Sequence, residues 1–298
     1  MPLPPESRTP DSGVIHNIGY RGYQGPRLGR GYATRSLLVQ GLRAAYGLGR
    51  SGKSKVLPML VAAVLALPAV VIVAVGIITK ADRLALGYPE YLEVLGIFPL
   101  IFLASQAPVL MSRDLRHHTV PLYFSRPITR GDYVRARFLA MAAAMMLLMT
   151  VPLVVLYLGA LLTGLPFGSN TGHFAQGLFA ALLYSLLYSA VGLLIAAATP
   201  RRGFGVAAIM GVMFVSNLLA GILYGFGGGV GPAPESANWV AVLSPTTLVQ
   251  GLVNELFSIT SGGSMHAPGG LGLAVFALET AVLIGGSYRL LLRRYRNI

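Results

Sequence analysis

Residues Phe138 to Pro200 read FLAMAAAMMLLMTVPLVVLYLGALLTGLPFGSNTGHFAQGLFAALLYSLLYSAVGLLIAAATP, without one Asp, Glu, Lys or Arg. A bilayer core takes roughly 20 consecutive apolar residues as one helix. This run is long enough for two, and its polar middle, Thr163 to His173 (TGLPFGSNTGH), marks where they part. Upstream, Val56–Thr79 lies between Lys55 and Lys80, and Val94–Ser112 between Glu93 and Arg113. Downstream, Phe204 to about Phe226 follows Arg201 and Arg202, and Leu271–Leu292 closes the chain. The expected spans are therefore 56–79, 94–112, 138–162, 174–199, 204–226 and 271–292. No two-residue alternation of the barrel kind occurs, so they are read as helices. The expected fold class is an all-α polytopic membrane protein with six transmembrane helices.

Composition agrees. Of 298 residues 54% are hydrophobic and 11% charged, with a mean hydropathy of +0.67. A soluble domain carries about 25% charged residues, and a disordered chain needs low hydrophobicity with high charge. The absence of cysteine excludes disulfides, thiolate metal sites and cysteine nucleophiles. The net charge of +13 is read through topology. With the N-terminus in the cytoplasm, every Lys and Arg except Lys80 and Arg83 falls on the inner side. Both termini are thus expected in the cytoplasm of a multi-pass cell-membrane protein. The basic charge is assigned to topology and the lipid bilayer rather than to nucleic acid.

The N-terminus, MPLPPESRTPDSG, has no signal-peptide pattern, and residues 1–31 read as a flexible cytoplasmic arm. Residues 32–55 are expected to form an amphipathic interface helix. At 100° per residue Leu37, Leu38, Leu42, Ala45 and Leu48 share one arc, and Arg35, Arg43 and Arg50 another. Residues 56–298 form the transmembrane domain. Gly47 to Ser54, GLGRSGKS, matches the phosphate-binding P-loop pattern. That loop works between a buried strand and a helix N-terminus. Here an amphipathic helix precedes it and a membrane span follows, so it is read as a basic surface junction.

The connection between spans two and three, Ser112 to Arg137, reads SRDLRHHTVPLYFSRPITRGDYVRAR. It is too long for a minimal hairpin and too apolar at Val120, Leu122, Tyr123 and Phe124 for a solvated tail. Pro127 forces an extended turn at Arg126, and Thr129–Tyr133 starts the next span. An apolar cluster among arginines at the membrane face suits a docking element. A short surface helix packing on its own bundle is the alternative. A second alternative reads Asp114, His117 and His118, spaced i, i+3 and i+4, as a metal or acid/base set of a membrane-embedded enzyme. No second cluster supplies further ligands, so no metal site is assigned.

This layout resembles the permease subunit of ABC-2-type exporters. In that family the segment reads as an acidic residue, a short spacer, Gly-Thr, an apolar patch, then Ser-Arg-Pro-(Val/Ile)-Ser/Thr-Arg. The counterparts are Asp114, Thr119, Leu122–Phe124 and SRPITR at Ser125–Arg130, with His118 where the family usually has Gly. The resemblance covers about residues 32–298. It implies a coupling segment, residues 113–135, seated in a groove on a separate ATPase. Arg113, Asp114, Arg116, Thr119 and Arg126 would be its polar contacts, and Leu122, Tyr123 and Phe124 its apolar anchor. It further implies two ATPase copies, a second permease (homodimer or paralogue) and an export direction. No cofactor is expected in this chain; ATP and magnesium would sit on the partner. A secondary transporter or channel working alone is the rival transport class, although no internal repeat is visible.

On the outer side, GFGGGVGPAPESANW (Gly225–Trp239) breaks the helix. Ser244 and Pro245 then give an N-cap and a proline at the first helical position. Thr246 to Ser258 is too short to span and is read as an outer re-entrant helix, with a helix lying flat on the outer surface as the alternative; the family resemblance implies that such an element forms a gate, with Ser244, Pro245 and Glu255 as outer-gate residues. Within the spans, Glu279, Tyr184, Tyr188 and Asn217 are candidates for the substrate path. An intramembrane acid is costly and faces the bundle. Phe124→Asp is expected to abolish co-purification of an ATP-hydrolysing partner; a complex retained after tandem-affinity purification would count against the docking role.

Overall fold

The computed structural model describes residues 25, 28–112, 114, 123, 128–199, 201–227, 235–259 and 265–296. Nine α-helices carry the described residues, with no strand among them. In chain order α1 is Arg30–Ala45, α2 Lys53–Thr79, α3 Tyr88–Val94 and α4 Ile97–Leu110. Then come α5 (Arg130–Leu162), α6 (Phe167–Ala198) and α7 (Arg202–Phe226). A 3-10 helix over Glu235–Leu243 leads into α8 (Pro245–Leu256), and α9 is Gly269–Arg296. Five helices are long and apolar enough to cross a membrane, or six when α3 and α4 are taken as one broken span. The chain is a multi-pass membrane protein.

Local chemistry sets the helix starts. Thr129 caps α5, its hydroxyl accepting from the Asp132 N–H at 3.3 Å while Asp132 accepts from the Thr129 N–H at 3.1 Å. Ser244 caps α8 by accepting from the Thr246 N–H at 3.3 Å, with Pro245 at the first helical position. The split of the long uncharged run falls at Thr163–Pro166, inside the polar stretch.

Two expectations are corrected. Span two is not one rod over 94–112: α3 and α4 meet at 65° across Leu95 and Gly96. The break leaves Pro99 in the first turn of α4, where its missing N–H costs nothing. The Tyr91 hydroxyl donates to the Leu65 carbonyl of α2 and ties α3 to its neighbour. The amphipathic helix does not reach residue 55 but stops at Ala45, and residues 46–52 turn directly into α2. The GLGRSGKS segment is therefore a helix–turn–helix junction with no strand feeding it. The apolar arc of α1 faces protein: Leu37, Gly41 and Ala45 are buried against α5 and α4, and Leu48 lies exposed beyond the helix end.

Helices α5 and α6 form the centre. In their most apolar windows 56% is buried, against 17% for α2, α7 and α9, which present apolar flanks outward. Lipid tails are as apolar as leucine, so close packing holds such a bundle together. A Cβ on Gly159 of α5 would lie 2.0 Å from Val73 Cγ2, and one on Gly192 of α6 would lie 2.7 Å from Leu103 Cδ1. By contrast Gly285 and Gly286 face open space.

Contacts sort the connections into two ends. Ser112 Oγ donates to the Ala196 carbonyl at 2.7 Å and Tyr295 reaches Met111 Sδ at 3.6 Å, gathering Met111, Ser112, the C-terminal end of α6 and the C-terminal turn of α9 at one end. At the other end Tyr88 donates to Asn170 Oδ1 at 2.7 Å, joining α3 to the start of α6. Replacing Gly159 with Val is expected to destabilise the bundle by about 1–3 kcal/mol. Val73→Ala in the same chain should restore part of the loss, read as the thermal midpoint in detergent. An unchanged midpoint for the single variant would show that the helices do not cross there.

Candidate functional site

The connection between α4 and α5 is fastened to the bundle by a buried ion pair. Asp114 Oδ2 accepts from Arg137 Nη2 at 2.5 Å and from the Tyr133 hydroxyl at 2.8 Å. The two charged side chains keep only 11% and 6% exposure. Tyr133 and Arg137 lie one turn apart on α5, so one carboxylate on the incoming segment meets both. Aromatic rings enclose the pair. The Arg137 guanidinium lies 5.3 Å from the Tyr133 ring centre and 6.0 Å from that of Tyr123. Tyr295 of α9 packs on Tyr133 at 5.2 Å. Thus α5, α9 and the α4–α5 connection meet at one charged knot, and Ser112 adds α6 through Ala196.

A second, exposed ion pair joins the helix starts. Arg30 Nε donates to Asp132 Oδ2 at 2.5 Å, and Arg30 Nη2 donates to Thr129 Oγ1 at 3.0 Å. The hydrogen bond to Asp132, and then its charge, raise Arg30 above its ordinary pKa. In water-exposed surroundings such a pair is weak; its effect is to fix where α1 lies on α5.

Of the residues expected to contact an ATPase, Asp114 and Tyr123 are described. Asp114 is engaged inside the chain, and Tyr123 is half-buried with its ring 5.5 Å from Tyr133. Arg113, Arg116, Thr119, Leu122, Phe124 and Arg126 lie outside the described residues, as do His117, His118 and most of the N-terminal arm. Among the described residues no group of His, Asp and Glu side chains could hold a metal ion.

The candidates in the spans divide. Tyr184 and Tyr188 are buried on α6 with ring centres 5.4 Å apart. Tyr188 and Thr246, at the start of α8, are hydrogen-bonded at 3.0 Å. At about 1.5 Å per residue, Tyr188 sits roughly 15 Å of helix from the Ala198 end of α6 and about 30 Å from Phe167. Ser244 is hydrogen-bonded to Ser216 of α7 at 3.4 Å, while Glu255 is half-buried further along α8. Glu279 is half-buried at the margin of the packed stripe of α9, and Asn217 is half-buried on α7. No hydrogen bond or ion pair among the described residues joins either of them to the tyrosines.

Sequence reasoning missed Glu93. Instead of bordering a span, it lies on α3 and accepts from Gln250 Nε2 of α8 at 3.0 Å. Asn254, one turn on, donates to the Met265 carbonyl at 3.0 Å. Nothing local signals a partner 157 positions away. The signal that existed was chemical: Gln250 and Asn254, two amides one turn apart on a mostly apolar short helix, needed something to face.

A family model described as ABC-2 family transporter protein matches residues 85–289. The chain belongs to the ABC-2 transporter family. No curated protein matches it. The region matched in this ABC-2 permease runs from α3 into the last helix and contains both the charged knot and the α8 seam. Permeases of this family are membrane transport subunits, generally not themselves catalytic, and in general work with an ABC ATPase partner.

Breaking a buried ion pair from one side strands a charge and costs about 3–5 kcal/mol, whereas an apolar replacement of both partners is near neutral. Arg137→Met or Asp114→Leu alone should therefore lower the unfolding free energy by about that much, and the double variant should recover most of it. Strictly additive losses in denaturant titrations would deny the pairing.

Proposed function

We propose that this ABC-2 permease is the membrane subunit of an ATP-driven exporter and forms half of a translocation pathway. It couples to a separate ATPase through residues 113–135. The observation that carries this reading is the Asp114–Arg137 knot. A segment pushed by a soluble partner transmits force only if it is rigidly joined to the spans. The ion pair and its aromatic surround join this one to α5 and α9, and Ser112 joins it to α6. Asp114 then acts as the anchor of the coupling segment, while Arg113, Arg116, Thr119, Leu122, Phe124 and Arg126 face the ATPase. ATP and magnesium are held by that partner, present in two copies, and a second permease, identical or paralogous, completes the pathway.

The charge distribution supports an inward-facing knot and cytoplasmic termini. The same orientation places Thr246, through Tyr188, well below the outer surface, which supports a re-entrant α8 entering behind the 3-10 helix. Ser244 and Pro245 start this element and Glu255 lies near its outer end. Its contacts with Tyr188 and Glu93 latch it to α6 and α3. Tyr184, Tyr188, Asn217 and Glu279 are the side chains offered to substrate when that latch opens.

The cysteine-free sequence gives a clean background for labelling. Ser125→Cys should resist a membrane-impermeant maleimide in intact cells and react in inverted vesicles. Its reaction should slow several-fold when the ATPase is bound, whereas Ala85→Cys should label from outside. Labelling of Ser125→Cys from the cell exterior, or an unchanged rate in the ATPase complex, would overturn the reading.

A further inference from the structure

Two cavities meet at the end of the bundle that carries Lys80 and Arg83. One, of about 540 Å³, is a groove between the last turns of α2 and α5, lined by Val73, Gly76, Thr79, Gly159 and Thr163. The other, of about 430 Å³, opens at the bundle end between α3, the start of α6 and the residues after α8. Arg83, Leu84, Gly87, Glu90 and Leu165 line both, so the two adjoin along a shared rim.

Their chemistry differs. In the groove the threonine hydroxyls turn to their own helices: Thr79 donates to the Val75 carbonyl and Thr163 to the Ala160 carbonyl, each at 2.8 Å. The pinch of Gly159 on Val73 closes the groove below. Above it a Cβ on Gly76 would find only Thr163 Cγ2, at 3.6 Å. The flank onto which the groove opens is apolar and outward, with Ile78 80% and Leu162 77% exposed. The end cavity, although more of its lining is apolar than polar, gathers more of the chargeable side chains. Asp82, Arg83, Glu90 and His173 contribute charge or protonatable nitrogen. Asn170 is 6% exposed; its Oδ1 accepts from Tyr88, while its buried amide nitrogen has no partner among the described residues. Arg83 makes no ion pair among them either.

We propose that this space binds a zwitterionic phospholipid, its acyl chain in the α2–α5 groove and its headgroup in the end cavity. Hydrocarbon is what meets the outward flank of two spanning helices, so a tail enters the groove from the side. Arg83 and the free Asn170 amide offer donors to phosphate oxygens. Asp82 and the second carboxylate oxygen of Glu90, whose Oε2 already accepts from the Gly87 N–H at 3.2 Å, offer acceptors to an ammonium. A neutral lipid satisfies none of these groups, and a water-soluble phosphate leaves the groove empty. Binding does not require an ATPase, so it stands or falls separately from the coupling role.

The test uses the full chain in phosphatidylglycerol nanodiscs with a lysophosphatidylethanolamine carrying a diazirine in its acyl chain. Cross-links should concentrate at least tenfold in peptides 72–79 and 159–165 relative to the equally apolar flank of α7. Unlabelled phosphatidylethanolamine should compete. Gly76→Phe, which fills the groove, should remove at least nine-tenths of the labelling. Arg83→Ala, an exposed position that leaves folding intact, should reduce it several-fold. Labelling of α7 and the groove in proportion to exposure, or equal labelling by a diazirine monoacylglycerol, would reduce the site to ordinary lipid contact and overturn the proposal. Competition by glycerophosphoethanolamine as strong as by the intact lipid would overturn it in favour of a soluble phosphate ligand.

Discussion

Hydrocarbon offers a polar group no partner, and that constraint organises this molecule. Many hydroxyls at membrane depth turn to the backbone of their own helix, as Thr280 does to the Phe276 carbonyl at 2.8 Å and Thr199 to that of Ile195 at 3.0 Å. The remaining polar contacts run between helices. Tyr46 donates to the Ala144 carbonyl at 2.8 Å, Tyr91 to the Leu65 carbonyl and Ser112 to the Ala196 carbonyl. Apolar ridges slide on one another at little cost when lipid is the solvent. These few directional bonds, with the glycine contacts at Gly159 and Gly192, are what fix the register of neighbouring rods.

What could be read from the sequence follows from the same constraint. A span is a local property of length and hydropathy, so the last residues of α2 and α7 and the division near Thr163 were legible, whereas α6 starts at Phe167, seven residues before the expected 174. Caps are local too, and Thr129 and Ser244–Pro245 start the helices where their chemistry requires. The bend between α3 and α4 was hidden because Pro99 sits in a first turn, where it looks like any other residue of an apolar run. The site was less legible. Asp114 reads as a docking charge until Arg137, 23 positions on, is brought to it across a reversal of the chain. Counting Arg137 among the topology-setting arginines concealed that it is buried. Tyr184 and Tyr188 were visible as a pair on one face, but the partner that gives them meaning, Thr246, belongs to another element.

Helix α6 links the two ends. Its last turn accepts from Ser112 beside the charged knot, and two turns earlier Tyr188 meets the start of α8. Only about 12 Å of buried helix separates these contacts. On the exporter reading, a displacement of the coupling segment therefore need not cross the whole bilayer to reach the gate. A rotation of α6, or a shift of one helix turn, moves both contacts together because close-packed helices shift between discrete arrangements rather than deforming smoothly.

Two of the buried polar groups left unpaired among the described residues lie along the same seam. Tyr184 is buried with its hydroxyl unpartnered among the described residues, and so is Asn254 Oδ1, one turn beyond Gln250. Stranding such groups costs roughly 1–3 kcal/mol each. A bundle built only for stability would leave neither the Tyr184 hydroxyl nor Asn254 Oδ1 unsatisfied. Their presence beside Glu93 makes sense if the closed seam is one of two states and water or substrate satisfies these groups in the other. The latch between α3, α6 and α8 is then weak by construction, while the knot at the opposite end pairs its two charges, with Arg137 Nε alone left without a partner among the described residues. That asymmetry is what a device driven from one end and yielding at the other requires.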